Sequence, residues 1–274
     1  MAQNTITGQY ASVRAETNVM QRLRWNINDT LVMTQRNLIY YTRQPQLIVF
    51  ATIQPIMFVL LFAFVFGGAI NTPDGNYINF LLPGIIVQTV MFAGTNTAVG
   101  LADDLSKGMI DRFRSLPMAR SAVLAGRTLA DAIRGLFTVC IMIAVGTLIG
   151  FRFQDGILNG VLGVAIAILF GFAFTWIFAL VGLIVKTAET AQVAGFVFVF
   201  PLAFASSIFV PPDTMPDWLQ VFANNQPVTA VANAVRGLFT GTGTTEEVLI
   251  ALAWIAAMLI VFIPLSVRQY GKSV

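Results

Sequence analysis

The sequence predicts an all-α integral membrane protein with six transmembrane helices, and three observations lead to this fold class. Of the 274 residues, 57% are hydrophobic and only 11% are charged, whereas soluble domains average about 25% charged residues. The mean hydropathy is +0.77. The apolar residues form long continuous runs without strict alternation, which favours helices over a membrane β-barrel.

The first 46 residues are polar or mixed and contain five arginines. A cleavable signal peptide would need an apolar region near the start, so we expect the first membrane helix to be retained. The segment from Trp25 to Arg43 is typical of an amphipathic helix in the membrane interface, and Pro45 limits it. This helix either serves only as a membrane anchor or also contacts a cytoplasmic partner. Its expected apolar face consists of Ile27, Leu31, Leu38 and Tyr41.

Six segments have the length of about 20 mostly apolar residues that a membrane-spanning helix needs. No linker, internal repeat or attached soluble domain interrupts them, so residues 1–274 form one transmembrane domain. The predicted spans lie at about 47–68, 79–101, 130–150, 157–182, 191–210 and 246–267.

The distribution of lysine and arginine predicts the orientation of these spans. Thirteen of these residues lie before span 1, in loops 2–3 and 4–5, and in the C-terminal tail, whereas the opposite side carries only Arg152 and Arg236. Short loops rich in lysine and arginine face the cytoplasm. Both termini are therefore predicted to be cytoplasmic.

The loop between spans 2 and 3 contains "SKGMIDRFRSLPMAR", residues 106–120, which is unusually charged for this chain. At 100° per residue, Met109, Ile110, Phe113 and Leu116 share an arc of about 120°. The charged side chains occupy the rest, and Pro117 ends the predicted helix. Orientation in the membrane requires only the charges, so the apolar stripe predicts a docking surface for a partner.

The loop between spans 5 and 6 is predicted to face outward and to contain two short helices. The first follows Pro216, and the second runs from about Val228 to Phe239. We expect both to lie shallowly in the outer leaflet, over the mouth of the bundle. The expected apolar face of the second helix consists of Val228, Val231, Val235 and Leu238.

Several kinds of chemistry are excluded or disfavoured. The chain has no histidine and a single cysteine, Cys140, which excludes internal disulfides, the usual zinc sites and histidine-dependent nucleophilic catalysis. The only Gly-Lys-Ser ends at Ser273 and has Ser266 where a phosphate-binding loop begins with glycine. The net charge of +3 is too small to indicate a nucleic-acid partner. We therefore predict neither an enzyme nor a bound metal or cofactor.

The span centres carry no charged residue, which disfavours a proton relay or ion-coupled transport. Asp131 and Arg134 lie near the start of span 3 and are expected to pair. Neutral polar residues and phenylalanines in the spans either join helices or line a path for an amphipathic molecule. The candidates for such a path are Gln54, Gln88, Asn96, Phe200, Ser206 and Ser207.

Two stretches carry a resemblance to a known family: "GMIDRFRSLPMARSAVLAGRTLAD" (108–131) and "NNQPVTAVANAVRGL" (224–238). With the order of spans and loops, they resemble the permease subunits of type-2 ABC exporters, in the daunorubicin/doxorubicin-resistance branch. The likeness covers nearly the whole chain. The outer motif of that branch falls on Asn225, Gln226 and Pro227.

The resemblance implies a multi-pass permease of the bacterial plasma membrane without ATPase activity of its own. Two permeases, identical or sister subunits, would sit on two cytoplasmic ATPase subunits that bind ATP and Mg²⁺, with spans 1, 2 and 5 beside the central path. Trp25, Leu31, Arg36 and Arg43 would belong to an interface helix. The coupling helix for the ATPase would contain Lys107, Met109, Ile110, Asp111, Arg112, Phe113, Arg114, Leu116 and Pro117.

The resemblance implies export, and the cargo stays open. An amphipathic drug, antibiotic or lipid is the leading expectation, and export of a polysaccharide or another polymer is the alternative. An ion-coupled secondary transporter is disfavoured by the uncharged span centres. An intramembrane enzyme is disfavoured by the absence of histidine and of acid pairs within the spans.

Overall fold

The computed structural model describes residues 19–68, 77–109, 120–185 and 187–272, and within these ranges it contains helices and no strand. A π-helical turn at Phe62–Phe66 continues α2, and a 3₁₀ turn lies at Pro212–Thr214. The helices are α1 (Val19–Arg43), α2 (Pro45–Leu61), α3 (Tyr77–Ser106), α4 (Arg120–Leu148), α5 (Gly156–Ile184), α6 (Ala188–Phe204), α7 (Asp217–Asn224), α8 (Pro227–Thr240) and α9 (Thr245–Lys272).

Five of these helices are long and apolar enough to cross a membrane: α2 with its π-helical turn, α3, α4, α5 and α9. They correspond to predicted spans 1, 2, 3, 4 and 6. The segment predicted as span 5, at 191–210, forms the apolar helix α6, which has only 17 residues and ends at Phe204. The predicted C-terminal boundary of span 5, at about residue 210, is therefore wrong, because the chain turns after Phe204.

Hydrogen bonds explain why α6 ends early. The Ser206 hydroxyl donates to the Ala203 carbonyl at 2.6 Å. The Gln226 side-chain amide donates to the Leu202 carbonyl at 3.1 Å and also to the Ala205 carbonyl. These bonds satisfy carbonyls that have no partner at a helix C-terminus, so Ser206 and Ser207 lie in a turn and not in a membrane helix.

The centre of the bundle is the pair α3 and α5, whose backbones approach closely at glycines. A Cβ on Gly182 would lie 2.5 Å from the Ala98 carbonyl oxygen, and one on Gly171 would lie 2.7 Å from the Val90 Cβ. Such small residues allow membrane helices to pack without intervening side chains. Around this pair, α9 packs on α5, α6 packs on α3, and α4 contacts both.

Helix α8 is a buried part of the bundle, packed between α3, α5 and α9. Its predicted apolar face is correct, since Val228, Val231 and Val235 are completely buried. Its expected shallow depth in the outer leaflet stays a prediction. The Phe239 ring approaches within 2.6 Å of the position where Gly163 would carry a Cβ, so this glycine makes room for the helix. By contrast, α7 exposes Trp218 at the surface.

The N-terminal helix α1 packs on α4 through a face that partly overlaps the predicted apolar face, since Tyr41 of that face bonds to Asp131 on α4. Met33 and Thr34 are buried against Gly126, where a Cβ would lie 2.5 Å from that of Met33. Ile27 and Leu31 are more than half exposed. The glycine decides the contact, because its missing side chain lets the backbone of α1 come close.

We predict that Gly182→Ala lowers the stability of the bundle, because the added methyl group would overlap the backbone of α3. Overpacking of this kind costs about 1–3 kcal/mol. Gly135→Ala is the matched control, since its Cβ would meet only one side-chain atom at 3.9 Å. Thermal unfolding in detergent, followed by size-exclusion chromatography, measures both. Equal melting temperatures for the two variants would contradict the close packing.

Candidate functional site

Helix α6 has two very different faces. The buried face is a stripe of small residues at every fourth position, Ala191, Gly195, Val199 and Ala203, which packs on α3. A Cβ on Gly195 would lie 2.6 Å from the Thr95 side chain. The rest of the helix is largely exposed, and nearly half of it is phenylalanine and valine.

The exposed side of α6 belongs to a continuous row of rings in stacked, tilted or edge-on contact, which we call the aromatic ladder. It joins α2, α3, α6 and the turn after α6. Ring centroids are 4.8 Å apart between Phe62 and Phe209, 5.1 Å between Phe209 and Phe204, and 5.5 Å between Phe92 and Phe200. Such separations are typical of favourable aromatic pairs. The ladder consists of Phe58, Phe62, Phe66, Phe92, Phe196, Phe200, Phe204 and Phe209.

The ladder is only partly buried. Phe196, Phe200 and Phe204 each expose between 40% and 49% of their surface. A row of large apolar rings left open along three helices offers a surface for flat or greasy molecules, or for another membrane chain. Sequence reasoning placed Phe200 here, but it missed the ladder members on α2, whose spacing of four residues was the available signal.

The other predicted path residues separate into two groups. Gln54 and Asn96 are exposed beside the ladder, on α2 and α3. Gln88 is buried within the bundle. Ser206 and Ser207 are buried as well, and the Ser207 hydroxyl donates to the Asn233 side chain at 2.8 Å. The structure thus places three of the six candidates at the open surface and three inside the protein.

The predicted outer motif Asn225-Gln226-Pro227 is a connection between helices. Gln226 is buried and ties α6 to α8, as described above, and Pro227 is the first residue of α8. Asn225 is exposed, and its side chain donates to the Val221 carbonyl at 2.8 Å, which closes the end of α7. The motif therefore holds the turn that shortens α6.

Arg236 is a structural anchor that sequence reasoning counted only as a charge. Its guanidinium donates to the Phe80 carbonyl at 3.1 Å, to the Ser207 carbonyl at 2.7 Å and to the Asn233 side chain at 2.7 Å. It also lies 3.7 Å from the centre of the Phe80 ring, in cation–π geometry. Arg236 therefore fastens α8 to the first turn of α3 and to the turn after α6.

A second polar anchor lies toward the opposite end of the bundle, around the buried carboxylate of Asp131. Asp131 accepts hydrogen bonds from the Tyr41 hydroxyl and the Thr97 hydroxyl, and Arg134 lies 3.4 Å away. The predicted pairing of Asp131 with Arg134 is confirmed, whereas Tyr41 and Thr97 were not foreseen. The anchor connects α1, α3 and α4.

The surroundings of Tyr41 keep it a proton donor. Burial, followed by the nearby charge of Asp131, raises the pKa of the Tyr41 phenol well above its ordinary value. The Arg134 guanidinium lies 5.1 Å from the centre of the Tyr41 ring. The phenol therefore stays protonated at neutral pH, and its hydrogen bond to Asp131 persists.

The predicted coupling segment is described only at its beginning. Lys107 is exposed and donates to the Asp103 carboxylate at 2.6 Å, which raises the pKa of the lysine. Gly108 has a positive φ of 64° and follows the end of α3, as glycine commonly does. Met109 is half-buried. The remaining predicted residues, from Ile110 to Pro117, lie outside the described residues, so their helix stays a prediction.

The four residues expected in the interface helix all lie on α1. Trp25 is half-buried, whereas Leu31, Arg36 and Arg43 are exposed. The described helix therefore presents arginines and apolar side chains on the surface that α4 does not cover. Among the described residues, no group of three or more acidic or sulfur ligands is placed to hold a metal ion.

Comparison with known proteins identifies a family whose model covers most of this helical bundle. Residues 28–240, from within α1 to the end of α8, match the model of the ABC-2 type transporter family. The chain belongs to the ABC-2 type transporter family. The resemblance that the loop 2–3 and outer-loop motifs carried is therefore confirmed.

Named relatives of this ABC-2 chain include permeases associated with drug resistance. It is 35% identical over 244 residues to the daunorubicin resistance ABC transporter permease protein DrrB1 of Streptomyces coeruleorubidus, covering 89% of this chain and 86% of the relative. It is 30% identical to the probable doxorubicin resistance permease DrrC of Mycobacterium tuberculosis, covering 88% of each. A putative transport permease, ycf38 of Cyanophora paradoxa, is 25% identical over 78% of this chain and 75% of its own length.

We predict that Asp131→Asn destabilises the protein, because it leaves Arg134 buried without its counter-charge. Breaking a buried ion pair from one side costs about 3 kcal/mol or more. The control is Asp104→Asn, whose partner Arg127 lies in a more exposed pair. Melting temperatures in detergent measure the loss. If Asp131 acts through Arg134, the double variant Asp131→Asn/Arg134→Gln melts above Asp131→Asn alone; a lower value would contradict this.

We also predict that Arg236→Met weakens the packing of α8 on α3, since the carbonyls of Phe80 and Ser207 lose a charged donor. Each hydrogen bond to a charged group is worth about 1.5–3 kcal/mol. The control is Arg152→Met, because Arg152 is exposed and donates to the Thr147 carbonyl in the nearby last turn of α4. Thermal unfolding in detergent compares the two. Similar melting temperatures would refute the anchoring role.

Proposed function

We propose that this chain is the membrane permease of an ATP-driven exporter that moves amphipathic drugs, antibiotics or lipids out of the cell. The observation that carries the proposal is the aromatic ladder, an open row of rings along α2, α3 and α6. Stacked rings bind flat apolar molecules without requiring charge. The family and the names of the drug-resistance relatives support the same class of cargo.

In the proposed assembly, energy comes from two separate ATPase subunits that bind ATP and Mg²⁺. The only Gly-Lys-Ser in the sequence has Ser266 where a phosphate-binding loop begins with glycine, so it does not match that motif. The apolar stripe that includes Phe113 would fill a groove on the ATPase, and the charges beside it would set the orientation. The permease acts as a transport subunit and not as an enzyme.

A second permease, identical or a sister subunit, completes the proposed path. Helices α2 and α6 expose large apolar side chains, including Met57 on α2 and Val197 on α6. Two copies that face each other through these helices would place two aromatic ladders around one central path. The partly open rings would then contact cargo or the partner instead of lipid.

The proposed topology retains six crossings, with both termini in the cytoplasm of a bacterial cell. Helix α6 makes the fifth crossing together with the turn and the α7–α8 segment, which re-enters the bundle. This arrangement agrees with the excess of lysine and arginine at the end of the bundle that carries α1. The bacterial drug-resistance relatives support placement in the plasma membrane.

The Asp131 anchor gives the proposed cycle a mechanical link. Closure of the ATPases would move α1 and the loop between α3 and α4. Because the Asp131 carboxylate holds Tyr41 of α1 and Thr97 of α3, these elements would move together. The same bonds argue against ion-coupled transport, since this carboxylate already has a positive partner and two hydroxyl donors. Polymer export remains the alternative cargo class.

We predict that Phe113→Ala uncouples transport from ATP hydrolysis, because it removes the largest apolar side chain of the docking stripe. The complex of this chain with its ATPase is reconstituted in vesicles, and ATP-dependent daunorubicin movement and ATP hydrolysis are measured together. The ratio of drug moved to ATP hydrolysed should fall at least fivefold. Phe222→Ala, an exposed phenylalanine on α7, is the matched control and should leave the ratio unchanged.

If the Phe113→Ala complex assembles normally and moves daunorubicin at the wild-type ratio, residues 106–120 do not couple the subunits. A wild-type complex that moves a polysaccharide but not daunorubicin would favour the alternative cargo class.

A further inference from the structure

Three exposed amide side chains lie next to the aromatic ladder, each one helical turn from a ladder phenylalanine. Gln54 precedes Phe58 on α2 by four residues, and Gln192 precedes Phe196 on α6 by four residues. On α3, Asn96 follows Phe92 by four residues. Residues four apart share a helix face, so each amide is on the ladder side of its helix.

The three amides all lie at the same end of the ladder. The start of α3 lies beside α8, because the Arg236 guanidinium donates to the Phe80 carbonyl at 3.1 Å. It also lies beside the turn after α6, where the Tyr77 hydroxyl donates to the Phe209 carbonyl at 3.1 Å. Helices α2 and α6 run the opposite way and reach Phe209 with Phe62 and Phe204. An amide before the ladder on α2 and α6, and after it on α3, therefore lies toward α1, the predicted cytoplasmic end.

The three amides are open to a polar partner from outside the bundle. In the part of the chain that the structure describes, no side-chain hydrogen bond involves Gln54, Asn96 or Gln192, and all three are exposed. An amide without a hydrogen bond in apolar surroundings is costly. Helix α2 carries no charged residue and α3 none before Asp103, while Glu189 of α6 lies one turn before Gln192. Beside the rings, the three amides themselves offer neutral donors and acceptors.

We propose that Gln54, Asn96 and Gln192 form an amide collar at the cytoplasmic entrance of the ladder, which binds carbonyl and hydroxyl groups of flat polycyclic molecules. The rings of such a molecule stack on Phe92, Phe196 and Phe200, while its oxygen atoms meet the amides. This proposal rests on the proposed function, because it takes the aromatic ladder to be the export path. It adds the residues that select oxygenated polycyclic cargo over plain hydrocarbons.

Binding of two matched probes tests the collar. The complex of this chain with its ATPase is placed in lipid nanodiscs without nucleotide, and equilibrium fluorescence titrations use 1,4-dihydroxyanthraquinone and anthracene. The triple variant Gln54→Leu/Asn96→Leu/Gln192→Leu should bind the dihydroxyanthraquinone at least tenfold more weakly and anthracene within twofold of the wild type. Each single variant should lose about two- to fivefold for the dihydroxyanthraquinone, a loss typical of one neutral hydrogen bond.

Two further variants separate the amides from the rings. Phe200→Leu should weaken both probes equally, since it shortens the stacking surface. Ile53→Leu, an exposed neighbour of Gln54 on another side of α2, should weaken neither. Size-exclusion chromatography of every complex establishes that the subunits remain assembled.

Three results would overturn the amide collar. The wild-type complex could bind neither probe, the amide variants could bind both probes normally, or the amide variants could lose affinity for both probes equally. Amide variants that bind both probes normally but no longer pair with a second permease would assign the amides to a contact between copies. The assay contains no nucleotide, so its failure leaves the ATP-driven transport test unaffected, and failure of that test leaves the binding result standing.

Discussion

The architecture depends on one constraint: polar groups within an apolar bundle must find partners inside the chain. A buried carboxylate or helix end without hydrogen bonds would cost several kcal/mol. Asp131 meets this constraint through a tyrosine, a threonine and an arginine from three helices. At the other end, Gln226 and Arg236 satisfy carbonyls where α6 stops and the chain turns back. These two anchors hold the long helices in place from both ends.

Between the anchors, packing divides the molecule into a tight and an open part. Glycines bring α3 and α5 into backbone contact, and α8 fills the space beside them. Helices α2 and α6 are attached through much narrower surfaces and leave their rings open. A transporter needs both properties, because a firm centre keeps the helices in register while more loosely held helices can change their spacing around a path.

Hydropathy predicted five of the spans well, because long apolar runs depend only on composition and length. The early end of α6 was not predicted, since it depends on Gln226, more than twenty residues along the chain. The burial of Met33 on α1 was not predicted for a similar reason: it depends on the missing side chain at Gly126, which is distant in sequence. The pairing of Asp131 with Arg134 was accessible because both lie one turn apart on the same helix, whereas Tyr41 is distant in sequence.

The narrow buried stripe of α6 has a consequence for how such proteins diverge. On α6, packing constrains Ala191, Gly195, Val199 and Ala203 most strongly, while Phe196, Phe200 and Phe204 remain at least 40% exposed. Substitutions at these exposed ring positions can therefore accumulate with less loss of folding stability than substitutions in the stripe. Natural selection can alter what the surface recognises while the same scaffold persists, and a single fold can give rise to descendants with different chemical preferences.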